Sequence, residues 1–265
     1  MYPASNAVAE VAALFKGEPA FITGSAAAAS YYQDIDEHTA YSDIDVFVAT
    51  PNALIACVEI AKQNGFKIAG ISERVYQRWL KTGNNGWHTN SIRLEGPNYE
   101  LNIIHKLVNR SPVTSLAQVI ESFDFGLLAV GHDCSTNTWR DMRSYLFPNV
   151  QHYDFSGCLP FMPNKEFDWN NGFISRYNGV REATRYVKYL DYGYDMHLVQ
   201  QTLLNGYRIA GDYHQDKDDK DDQKLGDIYH SIADAIQVGR LQELRDIGKE
   251  LVFKTDLDRL MEILE

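Results

Sequence analysis

Two aspartates stand two positions apart in the run Ser42-Asp43-Ile44-Asp45-Val46-Phe47-Val48. Side chains alternate along a strand, so both carboxylates share one face while Ile44, Val46 and Val48 point into a core. Like charges held side by side repel and raise the cost of ionising both. A divalent cation removes that cost, and Mg²⁺ prefers one or two carboxylates completed by phosphate oxygens and water. Two such ions can clamp the attacking and leaving oxygens of an in-line displacement at phosphorus. The competing reading is a strand that emerges at a solvated sheet edge beside ordinary surface cations. Upstream, Gly24-Ser25 follows the short apolar segment Phe21-Ile22-Thr23 and precedes an alanine-rich run. Glycine permits close backbone approach, a helix start offers free N–H groups to phosphate oxygens, and the Ser25 hydroxyl adds a donor. A phosphate cradle next to a metal-binding strand makes one coherent site.

The surrounding elements decide whether these groups can meet. Apolar spacing predicts an amphipathic helix over 6–16, a strand over 21–23, and a helix opening at the alanine run. A strand over 44–50 is followed by a helix over 53–65, which Gly65 stops by relieving the left-handed C-terminal position. The segments TNSIRLEG and NYELNIIHK flank Gly96-Pro97 and read as a hairpin. A short helix near 114–121 precedes FDFGLLAV, which reads as a further strand. This interleaving predicts an α/β (α+β) unit with a sheet of mixed direction. The stretch from about 134 to 172 shows no period. From Ser175 onward helical patterns dominate, with three short helices between Asp227 and Glu265 and a solvated loop at DKDDKDDQK (216–224). The simplest division is a sheet-bearing domain over 1–135 and a mainly helical domain over 136–265.

The pairing of a Gly-Ser turn with a later SDIDVFV strand resembles the signature of the nucleotidyltransferase superfamily with the DNA polymerase β-like fold. The resemblance covers roughly residues 20 to 105. ELNII followed by FDF also looks like nucleotidyltransferase-like proteins of large DNA viruses and phages. The family implies transfer of a nucleoside monophosphate from an NTP to an acceptor hydroxyl, with Mg²⁺ (or Mn²⁺) and loss of pyrophosphate. Carried over by position, Gly24 and Ser25 hold the triphosphate, with Ser42 beside them, and Asp43 and Asp45 bind metal. The interval between Ser25 and Asp43 is longer than in compact versions of the motif, and YYQDIDEHTA reads as an inserted loop. Asp34 and Asp36 there form a second D-x-D without a flanking apolar strand, and read as loop residues.

The family also implies a third acid on a later strand. On Tyr99-Glu100-Leu101-Asn102-Ile103-Ile104, Leu101 and Ile103 point to one face and Glu100, Asn102 and Ile104 to the other. Asn102 fills the slot where the family places its acid, and asparagine is a poor metal ligand beside a carboxylate. Glu100 shares that face and reaches further, so it is the expected third catalytic and metal-binding carboxylate, with Asp124 as the other candidate. Arg181, Arg185 and Lys188 recur at helical spacing near Tyr177 and Tyr189, and can line one face. The family implies that such a helix supplies cations to the triphosphate and an aromatic platform to the base; a solvated basic face is the competing reading.

Composition narrows the partners. At 265 residues and 45% hydrophobic content the chain can bury a sizeable core. A formal net charge of −11 opposes a wide basic surface, so long duplex nucleic acid is not the expected partner. No apolar run approaches the roughly 20 residues that span a bilayer, and the first residues lack the basic segment of a signal peptide. Three cysteines without a CxxC spacing fit a reduced, cytoplasmic protein. Counted from Asp216, an EF-hand loop would need glycine and glutamate where Asp221 and Asp227 stand, so calcium is not expected there. His132 and Cys134 lack a second pair at zinc spacing, and no nucleophile elbow supports triad chemistry. The expected partner is an NTP, with a protein side chain, an RNA end, a metabolite or a second nucleotide as acceptor. The alternative is a nucleotide-binding or interaction module of the same fold that has lost the third acid, and a phosphotransferase on that fold is a third reading.

Overall fold

Helix α1 (Ala4–Leu14) buries Ala7, Val8, Val11 and Ala12, the i, i+1, i+4, i+5 pattern of one helical face. It opens a computed structural model that describes residues 2–32, 41–77, 86–108, 111–123, 125–146 and 178–252. The short strand β1 (Ala20–Thr23) runs directly into helix α2 (Gly24–Tyr31). Strand β2 (Ile44–Val48) carries the paired aspartates and leads to helix α3 (Pro51–Gln63). Pro51 suits the first helical position, and the Thr50 Oγ1 accepts the Ala53 N–H at 3.1 Å, so the start of α3 is capped as its sequence requires. Gly65 takes φ +92° just beyond its end.

Three long strands follow: β3 (Lys67–Gln77), β4 (Gly86–Glu95) and β5 (Glu100–Val108). The hairpin around Gly96-Pro97 is present, with Glu95 paired to Glu100 and the Gly96 N–H bonded to the Tyr99 carbonyl. The remaining elements of this unit are β6 (Ser111–Pro112), α4 (Leu116–Glu121), β7 (Val130–Asp133), β8 (Thr138–Asp141) and the single turn α5 (Arg143–Leu146). Among the described residues the strands form one eight-stranded mixed sheet in the order β3-β4-β5-β2-β1-β7-β8, with β6 beside β5. Only β2 and β5 run parallel; the other pairs are antiparallel.

Central strand β2 is buried on both faces along most of its length. Ile44, Val46 and Val48 join Val11, Phe15, Leu101 and Ile103 in the larger core, under α1 and α3. Phe47 and Ala49 lie on the opposite face with Phe21, Ile104, Val119 and Ile120, under α4. The polar end of that second face is the place where Asp43 and Asp45 emerge.

Several expectations need correction. FDFGLLAV is not one strand: Gly126–Leu128 is a 3₁₀ turn and β7 starts only at Val130. Phe125, Leu127 and Leu128 are all buried, so the run is apolar without the alternation that marks a strand. Strand β8 lies where no element was expected, its residues mostly exposed and its pattern correspondingly weak. The edge strand β3 was likewise not anticipated. Asp34, Asp36, Asp124, Tyr177 and most of 134–172 lie outside the described residues.

The chain divides into two compact units, one holding the sheet with α1–α5 and the other the later helices. The second contains α6 (Asn178–Asp191), α7 (His197–Gln215), α8 (Lys220–Val238) and α9 (Leu241–Val252). Instead of short helices after Asp227, α8 alone runs 19 residues. The acid-rich loop is correspondingly shorter, because Asp219 Oδ1 accepts the Asp222 N–H at 3.1 Å and caps a new helix. Tyr207 and Tyr229 are fully buried at the centre of this unit, and the Tyr207 hydroxyl accepts the Ala183 N–H at 3.1 Å. No described helix is long and apolar enough to cross a membrane.

Candidate functional site

Strand pairing sets the site. Thr23 on β1 lies opposite Asp45 on β2, Asp45 lies opposite Asn102 on β5, and Asn102 lies opposite Arg93 on β4. Residues in register share a sheet face, so hydroxyl, carboxylate, amide and guanidinium form one row. The β2–β5 register ends at Ile44 and Leu101, the residues that follow Asp43 and Glu100 in the chain.

The Gly-Ser element meets this row at Asp45. Gly24 adopts φ +81°, and a Cβ built on it would lie 2.8 Å from the Asp45 Oδ2. Only glycine allows both the left-handed backbone and that close approach. The carboxylate therefore lies against the start of α2, where the first N–H groups have no partner within the helix. Ser25 is buried beside Gly24 and has a bonding partner. Thr23 is fully buried, and its Oγ1 has no hydrogen-bond partner among the described residues.

Each carboxylate has a distinct set of neighbours. Asp43 is half-buried, and its Oδ1 accepts a hydrogen bond from the exposed Ser42 hydroxyl at 2.6 Å. Asp45 is half-buried, and its Oδ1 accepts one from the Asn102 Nδ2 at 3.0 Å. Glu100 is half exposed and pairs with Arg93, Nε to Oε2 at 3.9 Å. The structure thus brings Gly24, Asp45 and Asn102 together with Ser25 next in the chain, leaves Asp43 and Ser42 bonded to each other just before β2, and turns Glu100 toward an arginine. Among the described residues no group of three or more His, Cys, Asp and Glu side chains gathers closely enough to hold a metal ion. Asp45 lies beside the start of α2 with Asp43 two residues before it in the chain, and one or two carboxylates suit a Mg²⁺ only where phosphate oxygens and water complete its shell.

Thr23 and Arg93 were not anticipated as members of this row. Arg93 was legible in principle: a tight turn at Gly96-Pro97 fixes the hairpin register and puts residue 93 across from 102. Thr23 carried no signal beyond its place before Gly24.

The basic face of the helical unit is less uniform than its spacing suggests. Lys188 is exposed, with its Nζ 5.4 Å from the Tyr192 ring centre. Arg185 is half-buried and engaged with a partner, and the side chain of Arg181 lies outside the described residues. Tyr189 is a core residue, 7% exposed, with its ring edge-on to Tyr192 and Tyr194. It presents no open platform within this unit. Lys188 also lines a shallow groove of about 230 Å³ with Thr184, Asp191, Tyr192 and Arg245. There the Arg245 Nε donates to Asp191 at 2.9 Å, which holds the Asp191 carboxyl below its usual range.

Comparison with known proteins adds no family to this geometry: no protein-family model matches the chain, and no curated protein matches its sequence.

Proposed function

We propose that the sheet-bearing unit binds an NTP as its Mg²⁺ (or Mn²⁺) complex and transfers the nucleoside monophosphate to an acceptor hydroxyl, releasing pyrophosphate. The observation that supports it most strongly is the contact between Gly24 and Asp45. A helix start suited to phosphate is pressed against a carboxylate suited to a divalent ion, through a backbone conformation that only glycine tolerates. Gly24 and Ser25 present N–H groups to the phosphate oxygens, and Asp43 and Asp45 hold the ion. When bound, that ion polarises the α-phosphate and balances charge on the leaving pyrophosphate. Ser42 orients the Asp43 carboxylate by donating to its Oδ1. The acceptor is a protein side chain, an RNA end, a small metabolite or a second nucleotide.

A second reading has its own observation. Where a third carboxylate would complete the face, Asn102 donates an amide hydrogen to Asp45. A module that binds nucleotide and transfers it slowly, or not at all, would carry that substitution.

Incubation with α-labelled NTPs, Mg²⁺ or Mn²⁺ and cell extract tests both readings. Label on an acceptor with pyrophosphate release supports transfer, and bound but unreacted NTP supports the module. Label moving from the γ-position would instead indicate phosphotransfer. The double variant Asp43→Ala/Asp45→Ala is expected to lose transfer while keeping the fold. Full activity in that variant would remove the mechanism.

A further inference from the structure

We propose that this face holds a single divalent ion rather than a pair, and that Asn102 sets that number; the inference rests on the nucleotide-binding reading of the same site. Two ions about 3.5–4 Å apart need a carboxylate that bridges them and further anionic ligands on each side. Thr23, Asp45, Asn102 and Arg93 form the row, with Asp43 and Glu100 two residues before Asp45 and Asn102. The Asp45 Oδ1, which a bridge would require, already accepts the Asn102 amide at 3.0 Å. That amide directs hydrogens, the positive end of its dipole, into the space between β2 and β5. A cation placed there would meet a donor instead of an oxygen. Glu100, the remaining acid of this face among the described residues, has the Arg93 guanidinium 3.9 Å from its Oε2, and a second dication beside it would face that positive charge. Asp43 and Asp45 together still satisfy one Mg²⁺, which needs only one or two carboxylates when phosphate and water complete its shell. The buried Thr23 hydroxyl, unpartnered among the described residues and in register with Asp45, marks the β1 side of the row as the polar, ligand-receptive one.

The count is directly measurable with Mn²⁺ and an NTP analogue that cannot be cleaved between its α- and β-phosphates. Equilibrium dialysis gives the number of ions bound per chain, and electron paramagnetic resonance distinguishes an isolated Mn²⁺ from a spin-coupled pair. The wild-type protein is expected to hold one ion with an isolated six-line spectrum. Asn102→Asp removes the donor and adds a carboxylate, so it is expected to take up a second ion and show the coupled spectrum. Asn102→Ala, which removes the donor without adding an anion, is expected to stay at one. A coupled pair in the wild-type protein would overturn the inference while leaving the nucleotide-binding reading intact. No protein-bound ion in the wild type, with or without the analogue, would overturn that reading itself. An isolated ion in a folded Asn102→Asp variant would show that Asn102 does not set the number.

Discussion

At Gly24 a backbone requirement and a chemical one coincide. With φ at +81° and the Asp45 Oδ2 at 2.8 Å from a built Cβ, Gly24→Ala faces both left-handed strain and a clash with the carboxylate. The strain alone costs about 1–2 kcal/mol, and relief of the clash moves Asp45 off its register with Asn102. Gly24→Ala is therefore expected to lower the denaturation midpoint modestly and to weaken Mn²⁺·nucleotide binding by tenfold or more. An unchanged affinity would separate the turn from the site. The cysteines make a different case. Cys57 and Cys134 are fully buried in the larger core, and burial pushes both thiols up to about 12. A thiol reacts as its thiolate, so neither is expected to be alkylated at pH 8 in the folded protein, and both should label once denaturant is added. Peptide mapping of labelling before and after unfolding checks this.

At the scale of elements, β7 and β8 extend the sheet on the far side of β1 and carry a titrating group. His132 pairs with Trp139 across these strands and with Ile22 on β1. Its pKa is lowered: burial disfavours the imidazolium, against a smaller opposite pull from Asp133 and a hydrogen bond involving Asn137. The unfolded chain therefore takes up a proton at a pH where the folded chain does not. This contribution to stability is intact above the ordinary histidine range of about 6.5 and is lost as the pH falls below it toward the lowered value. One such proton gives a slope of at most about 1.4 kcal/mol per pH unit. Denaturation series between pH 7.5 and 5 are expected to fall less steeply for His132→Gln than for wild type, whatever the offset between them. Parallel slopes would mean that His132 titrates alike in both states.

The same elements show what could be read from residue order. β1, β2, α3 and the β4–β5 hairpin were legible because each has a strong local device: an apolar pair before Thr-Gly, alternation, apolar helical spacing with a Gly stop, a Gly-Pro turn. β3 and β8 were not: both lie at sheet edges, and β8 exposes three of its four residues. Alternation shows in a sequence only where one face of the strand is covered, and β8 has little cover on either face. The site followed the same division. Asp43, Asp45, Gly24 and Ser25 were chosen as candidates by type and spacing alone. The Asn102–Asp45 bond depends on β2 and β5 pairing in parallel at one register, a tertiary fact that no local pattern encodes.

For the whole molecule, charge bears on the proposed binding of a nucleotide. The chain carries a formal net charge of −11, and Asp43, Asp45 and Glu100 add their negative charge at the polar face itself. A metal-free triphosphate approaching this face is repelled both by the protein's general field and by the local carboxylates. Neutralisation of part of its charge by Mg²⁺ reverses the local sign of the interaction. Chelation of the metal is therefore expected to weaken binding of a fluorescent NTP by tenfold or more. Salt discriminates further, because the Debye length shortens from about 14 Å to about 7 Å between roughly 50 and 200 mM ionic strength. Screening relieves repulsion, so the residual metal-free affinity is expected to rise over that range. A phosphate site built from arginine and lysine behaves in the opposite sense, since screening weakens its attraction. Tight metal-free binding that falls with added salt would thus point to cationic side chains as the phosphate ligands and away from the paired aspartates.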